Sequence, residues 1–481
     1  MAENVMEEQN QGYKVIPIMA ALLLSGFVGM FNETSLNIAL SDLIHLFQIS
    51  NATGQWLTTG YLLTLAILVP ISGYLLQRFS TRQLFISSLA LSIIGTLVAI
   101  SASGFSILMI ARVIQAAGVA IMLPLMYSTV LIIIRPEKRG GAYGLIGLVL
   151  VVAPAIGPTI SGLLLEKIGW NWIFVLTLPI LVLSLMIGLR YLHNFSMVTK
   201  PKLDILSLFF STLGFGGIVF AFSSAGEGEG GLATPTVIIP IGVGIASLMV
   251  FIIRQLNMKQ PMMDITAFKH KMFAVGAVMI FLNLMMMLAA TIMLPMLLIR
   301  GLGLNAFEAG LVMLPGGIVN AIMLPFMGKI FDKYGPKWVV PIGMLIIVVV
   351  LWLLSGVTVN TTLLQVIILH SFLMIGIAMV WMPSQANGLN ELPPQLYSHG
   401  SAIMNTIQQL AGAIGTAVAV SIMTLGMNDF MKQMKGREDI EAVAVVAGIQ
   451  NVFLFAMFIA LIGLILSFFI KRVNVSSIEQ Q

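Results

Sequence analysis

Long apolar stretches alternate with short polar breaks along almost the whole chain. Reading the apolar runs between breaks predicts fourteen helices, over residues 15–41, 53–76, 83–102, 105–133, 140–165, 171–191, 205–225, 235–253, 272–299, 307–330, 337–356, 361–385, 400–425 and 446–470. Most of these runs meet the length of about 20 apolar residues that carries a helix across a bilayer. The breaks hold nearly all the charges. The pattern therefore predicts an all-α polytopic membrane protein.

Composition agrees. Of 481 residues, 58% are apolar and only 9% are charged, against roughly 25% charged in an ordinary soluble domain. The mean hydropathy is +1.02. The first residues, "MAENVMEEQNQGYK", are polar and mildly acidic and lack the basic start of a cleavable signal, so the first run is expected to stay as a helix. The chain has no cysteine, which excludes disulfides, thiolate catalysis and cysteine metal sites.

Lysine and arginine choose the orientation, because cytoplasmic loops carry the excess of them. With the N-terminus inside, eighteen of the 24 lie in cytoplasmic segments. Only Lys167, Arg300, Lys432, Lys435 and Arg437 fall outside, and Arg112 falls within a span. An even number of spans places the C-terminus inside as well, in a multi-pass protein of the cell membrane. The tract "GEGEGG" at 226–231 reads as an acidic external turn.

A short pattern occurs twice. Residues 73–82 read "GYLLQRFSTR" and residues 328–337 read "GKIFDKYGPK". Each starts with glycine and places basic residues at its sixth and tenth positions. They are assigned to the cytoplasmic turns between spans 2 and 3 and between spans 10 and 11. The same offset of 255 residues carries Gly157 in span 5 onto Gly412 in span 13. The chain thus divides into a cytoplasmic tail at 1–14, a six-helix bundle at 15–191, a linker with inserted spans 7 and 8 at 192–270, a second six-helix bundle at 271–471, and a tail at 472–481. Many transporters rock two such repeated bundles about a site near the membrane midplane.

The motifs in this frame resemble those of the major facilitator superfamily, specifically its fourteen-span drug:proton antiporters, the EmrB/QacA-like group. Within that group the chain resembles the lincomycin-resistance exporters of bacilli. The repeated turn is similar to the family's G-x-L-x-D-R-x-G-R-K. Gly328, Asp332, Lys333, Gly335 and Lys337 match in the second copy. In the first, Gly73, Leu75, Arg78 and Arg82 match, but Gln77 stands in place of the acid and Ser80 in place of glycine. "RVIQAAG" supplies Arg112, Gln115 and Gly118 of the span-4 element. "PAIGPTISG" supplies Pro154, Gly157, Pro158 and Gly162 of the span-5 antiporter element. "WLTTGY" in span 2, with Trp56 and Tyr61, fits as well. In span 1, "FNETSLNIAL" resembles D-x-T-x-x-N-x-A-L through Thr34, Asn37, Ala39 and Leu40. The family's acid position is Asn32, with Glu33 next to it. One residue turns a helix face by about 100°. The resemblance implies that spans 1 and 4 line a central cavity, that the protein exports drugs by alternating access, and that a proton gradient drives it in place of a bound cofactor.

Elimination reaches Glu33 independently. Of the 19 acids it alone lies well inside a span, and Arg112 alone among the bases does. Glu33 precedes Asp42, at the outer end of span 1, by nine residues, about 13 Å of helix. Arg112 follows the outer start of span 4 by seven, about 10 Å. An ionisable group in the bilayer costs at least about 2.5–3.5 kcal/mol, so such groups face cavities and have functions. Burial favours the protonated carboxyl while a nearby cation favours the carboxylate, so a group there can exchange a proton as access changes. Glu33 reads either as the proton-coupling acid beside Arg112, or as one partner of a structural Glu33–Arg112 pair or of hydrogen bonds to nearby polar groups.

Other candidates follow from chemistry. Asn32, Asn37, Tyr61, Gln115, Asn283, Gln385 and Asn405 are candidate polar residues of a substrate cavity, some of them helix-to-helix hydrogen bonds instead. Pro154 and Pro158 bend span 5, and Gly157, Ser161 and Gly162 offer a small-residue face for close packing. Gly73, Gln77, Arg78, Arg82, Gly328, Asp332, Lys333, Gly335 and Lys337 form a candidate conformational gate, asymmetric because only the second copy keeps its acid. The 33 methionines, including "LMMML" at 284–288, suit either packing or a promiscuous apolar site. No Walker motif follows "GEGEGG" or any other segment, so ATP is not the expected driving force. The five histidines are scattered, which argues against an enzyme. Nothing points to nucleic acid or an obligate protein partner. The expected partners are small drugs, protons and the bilayer. The alternative function is export of an endogenous metabolite or lipid-like molecule, with drugs as incidental cargo.

Overall fold

The computed structural model describes residues 14–195, 198–199, 201–227, 234–433 and 440–473. Residues 228–231 of the acidic turn and most of both tails lie outside them. Among the described residues, fourteen helices are long and apolar enough to cross a membrane. Numbered with the spans, they are α1 (Val15–Phe47), α2 (Asn51–Arg78), α3 (Thr81–Ile100), α4 (Phe105–Ile133), α5 (Arg139–Lys167), α6 (Trp172–Tyr191) and α7 (Ile205–Glu227). The rest are α8 (Pro235–Asn257), α9 (Lys271–Met296), α10 (Ala306–Tyr334), α11 (Pro336–Leu354), α12 (Leu363–Asn390), α13 (Tyr397–Gln433) and α14 (Ile440–Ser467).

Each predicted span is present, and several run further than their apolar cores. α1 continues past Asp42 to Phe47, where Gln48 closes it in the left-handed conformation at φ 52. α13 begins at Tyr397 and ends at Gln433. Hydropathy marks the part of a helix that lipid covers, whereas the backbone hydrogen bonds continue through polar turns until a cap stops them. Such caps are visible here. Ser50 accepts from the Thr53 N–H. Ser80 with Gln83 and Asn305 with Glu308 form reciprocal capping boxes at the starts of α3 and α10.

These boundaries revise the repeated turn. Gly73–Arg78 is the last part of α2, and the connection proper is Phe79 and Ser80. In the second copy Gly328–Tyr334 belongs to α10, and Gly335 alone separates it from α11. That single-residue joint needs φ +73, which a glycine adopts without strain. Pro336 starts the next helix where its missing N–H costs nothing.

The helices group into two compact units. Unit 1 comprises residues 1–212, 250–265 and 393–405; unit 2 comprises 213–249, 266–392 and 406–481. α13 is shared between them, with its first turns, to Asn405, in unit 1. In unit 1, α4 packs closely on α3, where Ser88 Oγ donates to the Gly118 carbonyl at 2.8 Å. A Cβ on Gly118 would sit 2.4 Å from Ser92 Oγ, so only glycine permits that approach. Unit 2 is built around an apolar cluster that includes Met286, Leu294, Ile347, Leu373, Ile377 and Phe453. At the start of α7, Asp204 pairs with Arg254 of α8 at 2.8 Å and accepts from Ser207. Burial pushes the Asp204 carboxyl up, but the Ser207 and Arg254 hydrogen bonds outweigh it and hold it below its ordinary value. Gln255 then donates to Ser207 Oγ and accepts from the Met263 N–H, which ties the inserted pair to the segment leading into α9.

Candidate functional site

Arg112 has the largest fully buried side chain among the described residues. It is fully buried on α4. Its NH1 donates to the Asn32 carbonyl of α1 at 2.6 Å, and its Nε donates to the Leu57 carbonyl of α2 at 3.2 Å. Its guanidinium lies over the Tyr61 ring, 4.1 Å from the centroid, close enough for a cation–π attraction. Tyr61 in turn donates to the Gly29 carbonyl at 3.1 Å. Arg112 therefore joins three helices through backbone acceptors, which no rotation of a side chain can withdraw. Arg112 NH2 and Asn32 Oδ1 are buried without a hydrogen-bond partner.

Glu33 follows Asn32 on α1 and is half-buried. Neither Glu33 nor Arg112 takes part in the ion pairs of the described residues, such as Arg254–Asp204, Arg300–Glu441 and Lys432–Asp429. The direct Glu33–Arg112 pair weighed from the sequence is therefore not formed. The arginine turns NH1 and Nε to carbonyls and leaves NH2 unpartnered, and the Glu33 carboxyl follows the Asn32 link in the chain without an ion pair of its own.

Residues 154–162 of α5 pack against this part of α1. Proline at 158 has no N–H, so the Pro154 carbonyl one turn earlier loses its helix donor. Thr34 Oγ1, the residue after Glu33, donates to that carbonyl at 3.3 Å. Gly157 is buried against the same stretch. A Cβ there would lie 2.6 Å from Thr34 Oγ1 and 3.4 Å from the Phe31 carbonyl. Gly162 has more room, with Ile38 at 3.8 Å. The proline pair thus supplies an acceptor and the glycine supplies the clearance, both aimed at the residues flanking Glu33.

The other cavity candidates separate by environment. Asn37 is exposed and accepts from Thr58 Oγ1 at 2.8 Å. Gln115 donates to Thr96 Oγ1 at 3.2 Å and packs on Gly95, a contact between α3 and α4. Asn405 donates to the Ser401 carbonyl of its own helix. In unit 2, Asn283 donates to the Ile377 carbonyl at 3.4 Å and Gln385 accepts from Gln408 at 3.3 Å. Trp381, which sequence reasoning passed over, is 4% exposed with its indole N–H unpartnered. An aromatic residue in an apolar run carries no sequence signal of that kind.

The two copies of the repeated turn meet different neighbours. Gln77 Nε2 donates to the Gly73 carbonyl at 3.1 Å and lies 3.4 Å from His399 Nδ1. His399 Nδ1 also accepts from the Asp264 N–H at 3.0 Å. Arg78 reaches the Pro201 carbonyl and Arg82 the Leu189 carbonyl. In the second copy, Arg472 donates to the Asp332 and Lys333 carbonyls at 2.8 and 3.3 Å and packs against Gly335. Lys333 and Lys337 lie beside the Tyr334 and Trp338 rings.

Comparison with known proteins places this architecture. Residues 22–416 match the model of the Major Facilitator Superfamily. The chain is 57% identical over 468 residues to the lincomycin resistance protein LmrB of Bacillus subtilis, covering 97% of this chain and 98% of that one. It is 54% identical over 471 residues to LmrB of Listeria monocytogenes, covering 97% of this chain and 100% of that one. The fold is similar to the crystal structure of the human organic anion transporter MFSD10, with a TM-score of 0.68, 12% identity, and coverage of 95% and 100%. Fourteen spans, a family model across most of the chain and near full-length relatives agree: this is a multi-pass membrane transporter, and the chain belongs to the major facilitator superfamily.

Proposed function

We propose that the chain is a proton-coupled exporter of hydrophobic and cationic drugs, lincosamide-type antibiotics among them, acting by alternating access in the cytoplasmic membrane with both termini inside. The observation that carries this reading is Glu33: a half-buried carboxylate inside a span, without an ion-pair partner, beside the Asn32–Arg112 link. The relatives named for lincomycin resistance support the choice of cargo. The six-helix halves at 15–191 and 271–471 are the moving parts, with the inserted spans 7 and 8 between them in sequence.

The coupling needs one proton site with two occupants. Facing inward, Glu33 gives up its proton to the cytoplasm and the carboxylate attracts a cationic drug. Facing outward, a proton from the outside takes the carboxylate and the drug leaves. Arg112 is unable to take over this role, because it stays protonated and is held by backbone carbonyls. The Thr34–Pro154 bond and the Gly157 contact seat α5 on the residues around Glu33, which links its protonation to packing of the helix.

The test is drug-dependent proton flux in proteoliposomes with an imposed pH gradient. Glu33→Gln should cut coupled flux at least about tenfold and flatten its pH dependence, while drug exchange without net proton movement persists. Proton-driven efflux at the original rate in Glu33→Gln would remove Glu33 from the coupling role.

A further inference from the structure

Unit 2 carries a second set of unsatisfied polar groups, and its chemistry differs from that around Arg112. Trp381 and Gln385 are one turn apart on α12 and share a face. Trp381 Nε1, Gln385 Nε2 and Asn283 Oδ1 are all buried without a hydrogen-bond partner. The three are mechanically connected. Asn283 of α9 donates to the Ile377 carbonyl, one turn before Trp381, and Gln385 is held through its oxygen by Gln408 of α13. From Ile377 to Gln385 the face is about 12 Å long at 1.5 Å per residue.

Native proteins leave few buried polar atoms unpaired, because each costs about 1–3 kcal/mol. Here the unpaired atoms are two donors and one acceptor on fixed side chains. Trp381 can only donate, since the indole N–H has no acceptor role. The carboxylate nearest along α12, Glu391, accepts from the Met272 and Phe273 N–H groups at the start of α9, so it does not supply charge to this face. Such a set suits uncharged oxygen-rich groups, carbonyls and hydroxyls, and gives a cation no counter-charge.

We infer that the α12 face bearing Trp381 and Gln385, with Asn283, is a recognition subsite for the neutral amide and hydroxyl portion of a transported drug. The inference rests on the drug-export reading and divides the labour within it. The Glu33 region selects for positive charge, and the Trp381 face selects for hydrogen-bond acceptors. Burial of the face in this conformation means that the drug reaches it at another step of the cycle.

Lincomycin and ethidium separate the two selections. Lincomycin carries a hydroxyl-rich sugar and an amide; ethidium is a permanent cation with no oxygen acceptor. Trp381→Phe keeps the ring contact and deletes the donor. It should weaken lincomycin binding to the purified transporter about 5–10-fold, the size of one hydrogen bond, and change ethidium binding less than about twofold. Gln385→Met should shift the same ratio in the same direction. Independently of any variant's folding, the Trp381 indole N–H resonance of the wild-type protein should move on adding lincomycin and stay in place with ethidium. Equal shifts in affinity for both compounds, or an indole resonance indifferent to lincomycin, would overturn the assignment. Wild-type vesicles that move no drug would overturn the export reading and this subsite together. Active vesicles with an unaltered Trp381→Phe would overturn the subsite alone.

Discussion

The offset of 255 residues that superimposes the two turn motifs also carries Glu33 of α1 onto Leu288 of α9. Their surroundings correspond. A Cβ on Gly157 of α5 would press on Thr34, next to Glu33, and one on Gly412 of α13 would lie 3.2 Å from Leu288 itself. The close helix approach is thus present in both units, but the carboxylate is in only one. Spans 4 and 12 repeat the contrast. Arg112 and His370 are each the eighth residue of their helix. Arg112 binds two carbonyls, whereas His370 is packed against Gly316 with Nδ1 unpartnered. A repeated backbone can therefore keep its packing points while its chemistry diverges, because a glycine contact depends on clearance and a proton site depends on one side chain.

Breaking the charged side of that comparison should have the largest effect. Arg112→Met removes two charge-assisted hydrogen bonds of about 1.5–3 kcal/mol each and the Tyr61 contact. Transport should fall about 100-fold or more, with a clear drop in thermal stability of the purified protein. His370→Met should lose less on both measures. Equal losses would mean that the two positions do the same structural work.

The shared packing point comes next. Gly157→Val forces a side chain into the Thr34 and Phe31 contact, an overpacking cost of about 1–3 kcal/mol. Drug-driven proton flux should fall about tenfold. Gly412→Val meets only the end of a leucine side chain, and its flux should fall about threefold at most.

The two turns give the smallest difference. Asp332→Asn should slow transport about threefold more than Gln77→Ala, measured as initial efflux rate at equal expression. The reason is that Gln77 already contributes only neutral contacts, to Gly73 and near His399. Matching rates would show that the acid in the second copy gives the gate no asymmetry.

Much of the fold was legible in advance because span length and polarity obey the bilayer. Fourteen apolar runs appear as fourteen helices, and the extra turns of α1 and α13 escaped notice because polar residues continue a helix without announcing it. The site was legible where cost made residues conspicuous. Glu33 and Arg112 stood out as rare charges in apolar runs. The partners of Arg112 did not, because they are backbone carbonyls, and every residue has one. Gln115 and Asn405 read the same as Asn283 along the chain, yet one bridges α3 and α4 and another bonds to its own helix. Trp381 was silent, since the state of an indole N–H is a matter of neighbours.

By itself, the sequence determined the membrane architecture, the internal repeat and the two ionisable groups within it. Each is a property of the order and polarity of residues under the bilayer's demand that charge stay out. Tertiary structure alone decided that Arg112 turns NH1 and Nε to the Asn32 and Leu57 carbonyls, that Thr34 occupies the acceptor freed by Pro158, and that three polar atoms of the Trp381 face stay unpaired. Hydrogen bonds are directional and short, so which ones form depends on the meeting of helices far apart in the chain.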